Sequence, residues 1–211
     1  NLSRRFGGLL AVDGLSFALH AGEIFGLIGP NGAGKSTTFN LISGFIKPSS
    51  GRVVVCGGDM TGRGALAVSR AGLVRTFQHG SYVRSMSVRD NLRLGAIARA
   101  PLAERGPRVE AVAEELGLTP VLEEMAGALP HGVQRLISIA TAIVARPRLL
   151  CLDEPLTGLN ETEVAEVLNV LDRYRRQERQ WVMLDEHNMK AEMKICDRIL
   201  ELHHGAPIAT R

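Results

Sequence analysis

The chain has 211 residues, is 45% hydrophobic and carries a formal net charge of +3, a composition that builds one packed domain and excludes a disordered or fibrous chain. No apolar run approaches the ~20 residues that cross a bilayer, so any membrane role is peripheral. With 4% aromatic residues there is little on which bases could stack, and no nucleic-acid partner is expected.

Residues 12–28 read as strand, and their last stretch, EIFGLIG, runs directly into a glycine-rich loop. Residues 35–42 then read as a helix closed by Ser43-Gly44. A turn over 48–51 leads into the β-branched run RVVVC, and 72–78 form another strand with a polar tip, so the first third is α/β with an antiparallel hairpin. Between Gly80 and Gly132 the character becomes helical, around 88–99 and 108–116, broken by Pro101, Pro107, Pro120 and Pro130. VQRLISIATAIVARP follows as a largely buried helix that stops before Pro147, and LLCLDE is a short apolar strand of the kind covered on both faces. Residues 161–179 carry an apolar stripe with acids at the start and Arg173, Arg175, Arg176 and Arg179 at the end. That arginine group reads as a solvated helix terminus complementing the helix dipole, with a nucleic-acid or lipid patch as the alternative. WVMLD is another buried strand, 188–196 a helix, and RILEL a last strand ending near Gly205.

The cysteines Cys56, Cys151 and Cys196 are odd in number and widely spaced, without a C-x-x-C pair, which fits a reducing cytosol. The sequence opens at Asn1 with no charged stretch leading into an apolar one, so no secretory signal is expected in it.

The chemistry concentrates at strand ends. Gly29, Pro30, Asn31, Gly32, Ala33, Gly34, Lys35 and Ser36 fit G-x-x-x-x-G-K-[ST] between a strand and a helix, with Thr37 following in the first helical turn. Glycines let backbone N–H groups wrap a phosphate chain at the positive end of the helix. Lys35 then reaches the outer phosphates and the Ser36 hydroxyl ligates Mg²⁺, which makes ATP with Mg²⁺ the expected ligand. In LLCLDEP, Asp153 is placed to hold Mg²⁺ and Glu154 to orient and deprotonate an attacking water. Gln78 ends its strand with an amide able to touch Mg²⁺ and water, and His187 follows WVMLD, where a ring N–H reaches for a γ-phosphate. Phe6 either stacks on the adenine or fills the core.

In this order and spacing, GPNGAGKS, RTFQH, LPHGVQR, LLCLDEP, LTGLN and LDEHNM resemble the nucleotide-binding subunit of ATP-binding cassette (ABC) transporters over essentially the whole chain. The resemblance implies a P-loop NTPase (RecA-like) core with an antiparallel β subdomain over 1–79 and 133–211, and an inserted α-helical signature subdomain over 80–132. It implies a Walker A loop from Gly29 to Ser36, a Q-loop Gln78, a signature from Leu129 to Gln134, a Walker B Asp153, a catalytic Glu154, a D-loop from Leu156 to Asn160 and a switch His187. RRFGGLLAVDG, RTFQH and the DEPLTGLN to EHNMK stretch further resemble the ATPases of branched-chain amino-acid importers, whose relatives handle other small polar solutes. Implied partners are a second cassette in a head-to-tail dimer, membrane permeases and a periplasmic or extracellular solute-binding protein, at the cytoplasmic face of the inner membrane. Such subunits commonly continue into a further C-terminal helical segment.

Two positions depart from the pattern. The signature usually begins Leu-Ser-Gly-Gly-Gln; here Pro130 supplies neither hydroxyl nor N–H to a phosphate. The usual D-loop aspartate is Asn160. One reading is a weakened signature and an asymmetric paralogue as partner; the other is that Pro is tolerated without asymmetry. Two further function classes stay open on the residues alone: a soluble regulatory ABC protein acting on ribosomes or DNA, and a P-loop kinase.

Overall fold

The computed structural model describes residues 1–77, 81–178, 180–186 and 189–210. The chain opens with an antiparallel hairpin, β1 (Leu2–Phe6) and β2 (Leu9–Leu15), and then enters β3 (Ile24–Ile28) and α1 (Lys35–Ile42). A small ribbon of β4 (Val54–Val55) and β5 (Gly58–Asp59), the helix α2 (Ala65–Ala71) and β6 (Leu73–Arg75) complete the first third. A helical block follows: α3 (Val88–Ile97), α4 (Leu102–Glu115), two 3₁₀ turns and α5 (His131–Val144). The chain then returns to α/β with β7 (Leu149–Asp153), α6 (Glu161–Glu178), β8 (Trp181–Asp185), α7 (Met189–Ile195), β9 (Arg198–His203) and β10 (Ala206–Thr210).

Six strands form the central sheet in the order β10-β9-β3-β8-β7-β6, parallel except for the antiparallel edge strand β10. Strand periodicity explains the two cores. Ile24, Leu150, Leu152, Val182 and Leu184 point to the face covered by α5, α6 and the helical block. Their neighbours Phe25, Leu27, Leu149, Cys151 and Met183 point to the other face, with Phe39 of α1 and the first hairpin. β7 is buried at every position, as a continuous apolar run predicts for a strand covered on both sides.

Several expectations need adjusting. The strand expected over 12–28 is two, β2 and β3, separated by eight residues of irregular chain in which Glu23 accepts the His20 N–H. Pro107, expected to break the chain, sits inside α4, which starts six residues earlier than the 108 expected, at Leu102. β10 follows Gly205 where the last strand was expected to end, and β1 and α2 were not anticipated. At the end of α6 Arg175 is tied down, pairing with Asp172 and Asp197 and so fastening α6 to the start of β9, whereas Arg173 and Arg176 are exposed as expected of a solvated terminus, Arg176 beside Asp172. Gly95 lets α3 meet α5 closely, since a Cβ there would stand 2.0 Å from the Thr141 carbonyl oxygen.

Candidate functional site

Ligands of open α/β sheets sit outside the carboxyl ends of parallel strands, and β3, β8 and β7 end together here, with Asp185 directly opposite Asp153. The loop from Gly29 to Gly34 begins where β3 stops. Gly29 (φ 148°) and Gly34 (φ 103°) hold conformations that L side chains rarely adopt. Space is equally restrictive: a Cβ at Gly29 would lie 2.3 Å from the Leu202 carbonyl oxygen, and one at Gly34 2.5 Å from that of Ala11. The Ala33 N–H donates to the Pro30 carbonyl at 3.0 Å and closes the turn. Gly34 caps α1 without any side chain, and the Thr38 N–H returns to the Gly34 carbonyl at 2.8 Å. The N–H groups of the first turn are left to a ligand, at the positive end of the helix.

That turn faces a cavity of about 350 Å³ lined by Asn31, Gly32, Ala33, Gly34, Lys35, Ser36 and Thr37, with Glu154 and Asp185 at the strand ends and Phe6 on the hairpin side. Lys35 is buried; its Nζ donates to the Gly29 carbonyl at 2.8 Å and lies 3.8 Å from Asp185 Oδ1. Phe6 is 41% exposed on the cavity wall, with the Arg4 guanidinium 4.5 Å from its ring centroid, so it is no core residue. Glu154 takes a left-handed φ of 48°, unusual for a non-glycine residue and concentrated at functional positions. Its backbone is fastened by an N–H bond to the Asp185 carbonyl at 2.9 Å, and its Oε2 accepts the Thr157 hydroxyl at 3.2 Å.

Asp153, next to Glu154, is not bare. Arg75 Nη2 reaches its Oδ2 at 2.6 Å, while Arg75 Nη1 donates to Asn40 Oδ1 at 2.7 Å and Ser43 Oγ at 3.2 Å. Burial pushes the neighbouring Cys151 thiol up to about 12, so it stays an inert core group. Gln78 and His187 lie outside the described residues. The donor set fits a nucleoside triphosphate with a hard divalent cation: backbone N–H groups and an ammonium for phosphate oxygens, a hydroxyl and a carboxylate for the metal.

A family model described as ABC transporter matches residues 12–157. The chain belongs to that family. It is 37% identical over 224 aligned residues to the high-affinity branched-chain amino acid transport ATP-binding protein BraF of Pseudomonas aeruginosa, covering 99% of this chain and 88% of that protein. The same figures hold for the corresponding protein LivG of Escherichia coli. The solved ADP conformation of MJ1267, an ATP-binding cassette of an ABC transporter, matches with a TM-score of 0.89 at 29% identity, over 100% of this chain and 88% of that one. The fold is thus the P-loop NTPase fold of ABC ATPases, and the protein is an ATP-binding, ATP-hydrolysing cassette.

The remaining cassette motifs occupy defined places. Pro130 stands at the N-cap of α5 with no side-chain cap, and Gln134, in the first turn, donates to the Leu129 carbonyl and accepts the Tyr82 hydroxyl. Gly132 packs on Glu163, whose Oε1 would lie 2.3 Å from a Cβ there. Asn160 caps α6: its Oδ1 accepts the N–H groups of Thr162 and Glu163, each at 3.0 Å, and Glu163 Oε2 accepts the Asn160 N–H at 2.9 Å, a reciprocal capping box. None of residues 129–134 lines the cavity.

Sequence reasoning missed four charged residues beside the site. Arg75 belongs to RTFQH, the segment of Gln78, and Asp185 and Glu186 to LDEHNM, the segment of His187. Glu186 is buried and accepts the Leu156 N–H at 2.5 Å, tying the end of β8 to the start of the D-loop. Glu192, buried on α7, had no motif to flag it.

Proposed function

We propose that this cassette binds ATP with Mg²⁺ and powers an importer for branched-chain amino acids or a related small polar solute. The observation that carries the reading is the single cavity joining Lys35, Ser36, the first turn of α1 and Glu154. There the loop N–H groups and Lys35 bind and orient the phosphates, and Ser36 of the cavity wall, with Asp153 and Gln78, would hold Mg²⁺. The cation, when bound, neutralises charge between the outer phosphates. Glu154 takes the proton of the attacking water, His187 steadies the γ-phosphate, and Phe6 stacks on the base. We assign 1–79 and 133–211 to the catalytic core and 80–132 to the signature subdomain.

The position of residues 129–134 away from the chain's own cavity supports a second cassette, whose signature completes the phosphate cage in a head-to-tail dimer. Pro130 leaves this chain's own contribution to the opposite site with fewer donors, which favours an asymmetric paralogue as partner. Among the described residues no helix is long and apolar enough to cross a membrane, and we infer a peripheral place at the cytoplasmic face beside permeases, with a periplasmic or extracellular binding protein delivering solute. The resemblance to BraF and LivG supports this solute class.

Reconstitution with its permeases and a paired cassette tests the reading. ATP-dependent leucine or small-solute uptake that is lost in Lys35→Ala is the expected result. Uptake indifferent to Lys35→Ala contradicts the site assignment, and equal turnover at the two composite sites contradicts the asymmetry.

A further inference from the structure

β8 lies between β3, which feeds the phosphate loop, and β7, which carries Asp153, so its last residue sits beneath the phosphate site. That residue is Asp185. Its side chain is 2% exposed, lines the cavity, and places Oδ1 3.8 Å from Lys35 Nζ, whose own side chain is 6% exposed. A phosphate-binding motif needs a cation for a polyanion, and a buried carboxylate beside that cation draws on the same charge.

More acid stands behind it. Glu186 follows in the chain, and Glu192 of α7 is buried nearby. Burial first, then the charges of Asp185 and Glu186, push the Glu192 carboxyl up to about 8, whereas Lys35 pulls it down. Of these acids it is Asp185 that pairs with Lys35, and the Lys35 charge is felt as far as Glu192. A buried ammonium without a counter-charge is costly, and Asp185 supplies one when no phosphate does.

We propose that Asp185 is an internal competitor of the nucleotide phosphates: it holds Lys35 in the absence of phosphate and must yield it on binding, which lowers affinity for ATP and ADP alike. The proposal rests on the assignment of Lys35 to the phosphates. It makes Asp185 a positioning residue that favours nucleotide release, since departing ADP leaves behind a lysine already provided with a partner.

Calorimetric titration of ATP and ADP into the purified full chain tests it, in EDTA so that no divalent cation bridges ligand and carboxylate. Asp185→Asn and Asp185→Ser are each expected to bind both nucleotides at least five-fold more tightly than wild type. They should also melt lower without nucleotide and show a larger nucleotide-induced rise in Tm. Asp185→Glu, which keeps a carboxylate, should stay within two-fold of wild type. Unchanged or weaker affinity in either neutral variant, with Lys35→Ala still unable to bind, overturns the competition alone. ATP binding that survives Lys35→Ala unchanged overturns the phosphate-site assignment and the competition with it.

Discussion

Replacing Glu192 by Gln should stabilise the protein at neutral and alkaline pH and leave it nearly unchanged in acid. Glu192 has no solvent exposure, and burial reinforced by Asp185 and Glu186 raises its carboxyl from 4.5 to about 8. Its ordinary value in the unfolded chain means that, between those two pH values, the folded state holds the extra proton. Stability therefore falls as pH rises across that window, by about 1.4 kcal/mol per unit. From 4.5 to 7.5 the loss sums to about 4 kcal/mol, and it levels off above pH 8. Glutamine has nearly the same shape and no charge to lose. Urea denaturation of both proteins from pH 5 to pH 8.5 should show curves that nearly meet at the acid end and diverge to a few kcal/mol at the other, equivalent to about ten degrees in Tm for a domain of this size. Parallel pH profiles, or a variant less stable than wild type at pH 8, would refute the reasoning.

Other substitutions probe the supports of the site. Arg75→Ala leaves Asp153 buried without its 2.6 Å partner and should cost about 3 to 5 kcal/mol in chemical denaturation. Asn160→Ala removes the α6 cap and should cost about 1 kcal/mol, while Asn160→Asp, able to accept the same two N–H bonds, should match wild type. Gly95→Ala drives a Cβ to 2.0 Å from the Thr141 backbone and should destabilise by about 1 to 3 kcal/mol, read as a lowered denaturation midpoint.

How much was readable from sequence followed how local the signal was. The end of β3, the phosphate loop and α1 stand where strand pattern and glycine spacing put them, and α1 ends at Ile42 before Ser43 as read. β7 and β8 were legible as apolar runs because a strand covered on both faces must be apolar throughout. β1 was hidden by its two arginines, and α2 by an exposed surface in which only Val68 is buried. β10 carries Pro207, tolerable because this is the sheet edge and the ladder slips there. Pro107 lies past the first turn of α4, where it removes one backbone N–H bond without ending the helix.

The site divides along the same line. Lys35, Ser36 and Glu154 belong to contiguous motifs, and the cavity gathers them. The Arg75 to Asp153 pair joins residues 78 positions apart, and the Lys35 to Asp185 pair depends on β8 lying beside β3. Neither is visible until the parallel register is known. Asn160 shows the converse: the sequence exposes a missing charge, whereas the structure gives that side chain a capping task that needs only an acceptor oxygen.

The most direct test of the account is the fate of ATP on Glu154→Gln, alone and with the partner cassette. A site in which Lys35 holds the phosphates and Glu154 activates water predicts that this variant retains bound ATP, hydrolyses it at least a hundred-fold more slowly than wild type, and accumulates as a closed dimer. Hydrolysis by Glu154→Gln at the wild-type rate would contradict the assignment.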